Sequence, residues 1–242
     1  CTPLICACKS GNLEMVELLL SMRDIDVKSQ PALLYHACNN VEIGLNMFVL
    51  EKLLSIENID INQTHSNGMT PLGALGEAGV GPMQDLAASL KKKGACLTIF
   101  DLFGGSFDAA TVQVMLEENN FDLDRANEDG DSPFYFALTK CYNTPELIDL
   151  LLMQTSFDVN CTPETNYGTD DPLWKFLTTG QGHVENNDLC RKLLMRDDFT
   201  DINNYGSERF YTPLTWAICH GSSGGMEVVD SLLSRKDIDV NH

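Results

Sequence analysis

Nucleophilic or metal chemistry in this chain would have to come from its cysteines and histidines. A thiolate nucleophile needs a base within hydrogen-bond reach, and a structural zinc needs paired ligands at short spacing. His220 directly follows Cys219, but adjacent residues on a helix point about 100° apart and do not pair as nucleophile and base. Cys6 and His36 hold equivalent places in successive copies of a short motif, so a contact between them is geometrically open. No oxyanion hole or orienting carboxylate accompanies that pair. Cys6-x-Cys8 lacks a His or Cys partner at zinc-finger spacing. His65, His183 and His242 complete the five histidines without forming a pattern. No His-Glu-x-x-His, Gly-x-Ser-x-Gly or phosphate-binding glycine loop occurs. The expectation is a chain without catalytic residues, metal or cofactor, and therefore not an enzyme in this segment.

The nine cysteines are odd in number and irregularly spaced. Cys6, Cys8 and Cys38 fall at small-residue positions of the motif, where a thiol acts as a small hydrophobe. Free thiols in a reducing, cytoplasmic compartment are expected. Acidic residues number 35 against 16 basic ones, a net charge of -19. Such a balance disfavours phosphate contacts, so no nucleic acid partner is expected. It suits solubility or a partner with a basic surface or segment. No run of 18 apolar residues suggests membrane insertion.

Any site must be positioned by the motif itself, which recurs seven times. Its clearest openings are Thr2-Pro3-Leu4-Ile5-Cys6-Ala7-Cys8 and Thr212-Pro213-Leu214-Thr215-Trp216-Ala217-Ile218, with Thr70-Pro71-Leu72, Ser132-Pro133-Phe134 and Asp171-Pro172-Leu173 alongside. The second copy aligns through Ala32-Leu33-Leu34, and the fourth, weakest copy through Thr98-Ile99-Phe100. Successive openings lie 30, 38, 28, 34, 39 and 41 residues apart. Thr or Ser caps a helix N-terminus, and Pro suits the first turn because it has no N–H to satisfy. A second helix follows, with Leu13, Val16, Leu19 and Leu20 forming its buried stripe in the first copy. Six residues after a leucine pair comes an Asp-apolar-Asn ending, as from Leu54 to Asp60 and from Leu152 to Asp158.

This pattern resembles the ankyrin repeat over essentially the whole chain. The resemblance implies an all-α solenoid of stacked helix pairs with projecting β-hairpin fingers. It sets one domain over 1–242, with approximate repeats 1–30, 31–68, 69–96, 97–130, 131–169, 170–210 and 211–242. Because both ends coincide with motif boundaries, a fragment of a longer protein is expected. The family's histidine after Thr-Pro-Leu is replaced by Ile5, Tyr35, Gly73, Asp101, Tyr135, Trp174 and Thr215, which leaves open what fastens each turn. Added length falls between helices (39–46, 180–188) and at fingers (161–171, 204–211).

The resemblance also implies protein binding through finger tips and the exposed side of the first helices. On those helices the candidates are Lys9, Ser10, Asn39, Asn40, Lys140 and His220. The fingers add Asp129, Tyr167, Asp170 and Asp171, with Tyr135 and Trp174 one step in. Aromatic residues beside arginine favour binding hot spots, which adds Tyr205, Arg209, Phe210 and Tyr211. Together they would present a concave acidic and aromatic face to a partner protein. The alternative is a target-recognition segment of a larger enzyme or secreted bacterial effector, its catalytic domain elsewhere, acting in host cytoplasm. Ankyrin repeats also serve as substrates of a cytosolic asparaginyl hydroxylase that favours Leu eight residues before Asn. Asn160 and Asn241 fit that spacing, as does Asn62 with Ile in place of Val.

Overall fold

The computed structural model describes residues 1–22, 24–39, 46–75, 82–105, 107–141, 144–154, 156–160, 172–179, 184–205, 211–220 and 225–241, without the side chains of 46, 82, 83, 175, 178, 179, 184–186 and 225. Two compact units divide it, Cys1–Phe107 and Asp108–His242.

The first unit holds α1 (Pro3–Lys9), α2 (Leu13–Ser21), α3 (Leu33–Cys38), α4 (Asn46–Leu54), α5 (Pro71–Ala74), α6 (Pro82–Lys92) and α7 (Ile99–Gly104). The first helices of successive copies, α1, α3, α5 and α7, stack in order, and α2 packs on α4 behind them. Leu4, Ile5, Cys8, Leu33, Leu34, Ala37, Val49, Leu50, Leu53 and Leu90 are buried between the layers. Each leucine so buried contributes about 1.5–3 kcal/mol.

The second unit holds α8 (Ala109–Glu118), α9 (Pro133–Lys140), α10 (Pro145–Leu152), α11 (Pro172–Thr179), α12 (Val184–Leu194), α13 (Pro213–His220) and α14 (Gly225–Ser234). Here α9, α11 and α13 form one layer and α8, α10, α12 and α14 the other. Phe134, Phe136, Leu151, Leu173, Leu193 and Phe199 are its largest enclosed side chains.

Hydroxyl caps start the first helices as their sequences demand. Thr70 Oγ1 accepts from Gly73 N at 3.0 Å, Ser132 Oγ from Tyr135 N at 3.1 Å and Thr212 Oγ1 from Thr215 N at 3.3 Å. The second copy lacks the Thr-Pro pair, and its helix starts from Ala32 at φ 50°, with no side-chain cap. Among the described residues the fingers are turns without an assigned strand. In two fingers one backbone pair closes the tip, His65 N to Met69 O at 2.9 Å and Asn127 N to Asp131 O at 3.0 Å. Gly68 and Gly130 turn those tips with φ of 84° and 88°, a region open to glycine.

Candidate functional site

The first helices end in polar or cationic residues. Lys9, Ser10 and Asn39 in the first unit, and Lys140 and His220 in the second, are exposed at or next to helix C-termini. A cation there complements the partial negative charge of the helix end. Within their helical bounds the seven first helices carry only one acidic residue, Asp101, and it is fully buried. Acidic side chains stand instead at finger tips, such as exposed Glu128 and Asp129, and along the second helices. The first-helix surface is therefore weakly basic, with acid at its finger edge.

Its most developed part lies at α13. The Trp216 and His220 rings, one helical turn apart, stack at 4.0 Å and 20°. Tyr211, just before the helix, meets the His220 ring edge-on at 5.3 Å and the Trp216 ring at 5.6 Å. Trp174 of α11 stands edge-on to Trp216 at 5.7 Å. Tyr211 and Trp216 are half-buried, and Tyr205 in the preceding ending is 43% exposed. Such semi-exposed rings offer rigid contact area at small entropic cost. Trp216 was missed as a site residue in the sequence; its only signal is the four-residue spacing to His220.

Tyr135 and Trp174 do not lie on that face. They are 7% and 6% exposed, because the position after Thr-Pro-Leu turns into the stack. Trp174 Nε1 donates to Asn204 O at 2.9 Å. Cys6 is likewise corrected: it is exposed, on the same helical face as Lys9 and Ser10, and its Sγ lies 3.2 Å from Cys1 Sγ. Cys8 and Cys38 are buried as expected, and burial pushes both thiols up to about 12. Asn40, Tyr167, Asp170, Asp171, Arg209 and Phe210 lie outside the described residues.

At the fourth position of each opening, where the resemblance leads one to expect histidine, Tyr35 and Asp101 fasten their turns differently. Tyr35 Oη accepts from Asn67 Nδ2 at 3.3 Å and stacks on His65 at 4.6 Å. Burial, then Lys9 and His65, lower His36 beside it to about 4. Asp101 binds two copies at once. Its Oδ1 accepts from Thr70 N at 2.8 Å, and its Oδ2 from Thr70 Oγ1 at 2.9 Å and Thr98 N at 2.7 Å. Burial nevertheless raises its carboxyl to about 6, against the pull of these donors. Gly73 makes the room: a Cβ there would stand 1.8 Å from Asp101 Oδ1.

The endings also acquire roles. Asp60, Asp158 and Asp239 each accept, through Oδ1, the backbone N–H two residues on, at 2.9 Å. The Asn that closes an ending reaches the next copy. Asn62 Nδ2 donates to Gly94 O at 3.1 Å while its Oδ1 accepts from Cys96 N at 3.0 Å. Asn160 spans Asp198 O and Thr200 N, and Asn203 spans Asp237 O and Asp239 N, in the same manner. Asn241, in the last ending, is exposed.

The family model of the ankyrin repeat matches residues 1–30. No curated protein matches the chain. Among solved structures, the chain is similar to the human ASB11 ankyrin repeat domain, at 19% identity and a TM-score of 0.46, over 96% of this chain and 98% of that one. It is also similar to the ankyrin repeat domain of Bcl-3, a member of the IkappaB protein family, at 20% identity and a TM-score of 0.40, over 96% and 98% of the two chains.

Proposed function

We infer, from a chain built of ankyrin repeats, that it binds another protein and does so on the first-helix and finger side. Ankyrin repeats are generally protein–protein interaction modules, and the family match at 1–30 brings that role to this chain. The observation that carries the finer reading is the half-exposed ring cluster of Tyr211, Trp216 and His220. We place the strongest contacts there, with Tyr205 beside them. Lys140 and Asp129 extend the surface in the second unit, and Lys9, Ser10 and Asn39 form its counterpart in the first. A basic segment of the partner would meet the acidic finger tips, where rim charges govern association rate and specificity more than affinity. No helix among the described residues is long and apolar enough to cross a membrane.

The test is affinity for a purified partner. Replacing Tyr205, Tyr211 and His220 together by alanine should weaken binding by tenfold or more, the scale of hot-spot truncation. Unchanged affinity for every partner would refute the assignment. Hydroxylation of Asn62 or Asn160 would require the ending to open, since both amides are engaged by the next copy.

A further inference from the structure

Ion pairs join three of the seams between second helices: Lys52 to Glu17 between α4 and α2 at 3.1 Å, Lys192 to Asp149 between α12 and α10 at 2.7 Å, and Arg191 to Glu227 between α12 and α14 at 2.8 Å. The packed α8–α10 seam has none among the described residues. Between α4 and α6, in the first unit, no ion pair occurs among the described residues. Residues of the two helices line an open groove of about 570 Å³.

Its lining has a consistent chemistry. Met47 and Leu54 of α4 and buried Leu86 of α6 supply an apolar floor. Exposed Glu51 and Asp85 stand on its two walls, and exposed Lys93 lies two turns beyond Asp85. Met47, Glu51 and Leu54 are four and three residues apart, so one face of α4 lines the groove for about 10 Å. On an ideal helix Phe48, 61% exposed, lies about 20° from the lining residue Ser55. Among the described residues neither carboxylate has a cationic partner.

We propose that this groove is a second docking site, which takes an amphipathic helix of a partner protein carrying Lys or Arg beside its apolar face. Charge complementarity selects that occupant. Two carboxylates flank an apolar floor, with one lysine at the far end, on a chain of net charge -19, and a helix laid between two helices buries its apolar stripe as it pairs its cations. Lys93 gives the groove one positive end and so fixes the direction of the guest, with its negative C-terminal end toward that lysine. This site lies in the second-helix layer and is independent of the ring cluster on α13.

The probe is a labelled helical peptide of leucine and lysine, its leucines at i, i+3, i+4 and i+7, titrated against the full chain by fluorescence anisotropy. A leucine–glutamate counterpart controls for the apolar stripe. Glu51→Lys with Asp85→Lys should weaken the lysine peptide about tenfold. Glu117→Lys with Glu118→Lys, the same charge change on exposed residues of α8, should leave it within about twofold. The Met47 methyl signal should shift on binding. Equal weakening by both double variants would mean attraction to net charge alone and would overturn the proposal. So would an unmoved Met47 signal, equal binding of the glutamate peptide, or no binding of the lysine peptide.

Discussion

Asp101 shows how one residue can carry both a fold and a pH dependence. It stands where the ankyrin repeat that the sequence resembles has histidine, and it joins the backbone of Thr70 to that of Thr98 across two copies. Burial raises its folded-state carboxyl to about 6 from the ordinary 3.8. Between those values the folded chain holds a proton that the unfolded chain has released. Its contribution to stability is therefore full below about 4 and is lost as pH rises through 6. Urea unfolding at several pH values should show a component falling over that window by at most about 1.4 kcal/mol per pH unit. Asp101→Asn should remove this component, and Gly73→Ala should weaken it by displacing the carboxylate. A pH profile identical in wild type and Asp101→Asn would contradict this account of the site.

At the level of elements, the copies are held together by side chains that reach one repeat ahead or back. Arg196, just past α12, donates through Nη1 to the carbonyls of Leu152 and Gln154 at the end of α10, at 3.2 and 2.5 Å. It binds Asp198 with both remaining nitrogens and lies 4.8 Å over the Phe157 ring. Arg235, past α14, repeats the device on Leu194 and Arg196 carbonyls. A guanidinium fork at a helix C-terminus satisfies carbonyls that the helix leaves open. Arg196→Ala should cost about 2–3 kcal/mol in denaturant unfolding, and Arg196→Lys should recover only part. A loss under about 0.5 kcal/mol, typical of an unconstrained surface position, would show that the fork is idle.

Much of this layer was legible in the sequence. Among the described residues, Thr or Ser before Pro marks a helix start wherever it occurs, and Leu33 opens α3 even without that pair. The Asp-apolar-Asn ending was visible as a pattern, but its purpose was not. The Asp closes a local turn, whereas the Asn bonds residues 32–40 positions ahead, and that partnership exists only once copies stack. The same limit explains the misplaced site residues. Whether position 135 or 174 faces solvent depends on the neighbouring copy, so the aromatic character of Tyr135 and Trp174 suggested a surface that burial denies them. Cys6 erred the other way, a small residue on the open side of α1.

Over the whole molecule, acid is kept off the exposed side of the first helices in each unit. Aside from buried Asp101, acid stands off the first helices: Glu14 and Glu17 on α2, Glu51 on α4, Asp85 on α6, Glu117 and Glu118 on α8, Glu227 and Asp230 on α14. The half-exposed ring cluster and Lys9, Lys140 and His220 occupy the first-helix side, while the second helices carry cations beside their carboxylates, among them Lys52, Lys91, Lys92, Arg191 and Lys192. Two kinds of partner follow from this division. Those held by the rings should resist salt, and those held by exposed carboxylates should not, since exposed charges are screened within about 10 Å at 0.1 M salt. The most direct measurement is capture from cell lysate at low and high salt, with the wild-type chain beside the Tyr205→Ala, Tyr211→Ala, His220→Ala triple variant, read by mass spectrometry. A set of proteins that the wild type retains at high salt and the variant loses is the predicted result. A salt-resistant set identical for both chains would contradict recognition through the α13 ring cluster.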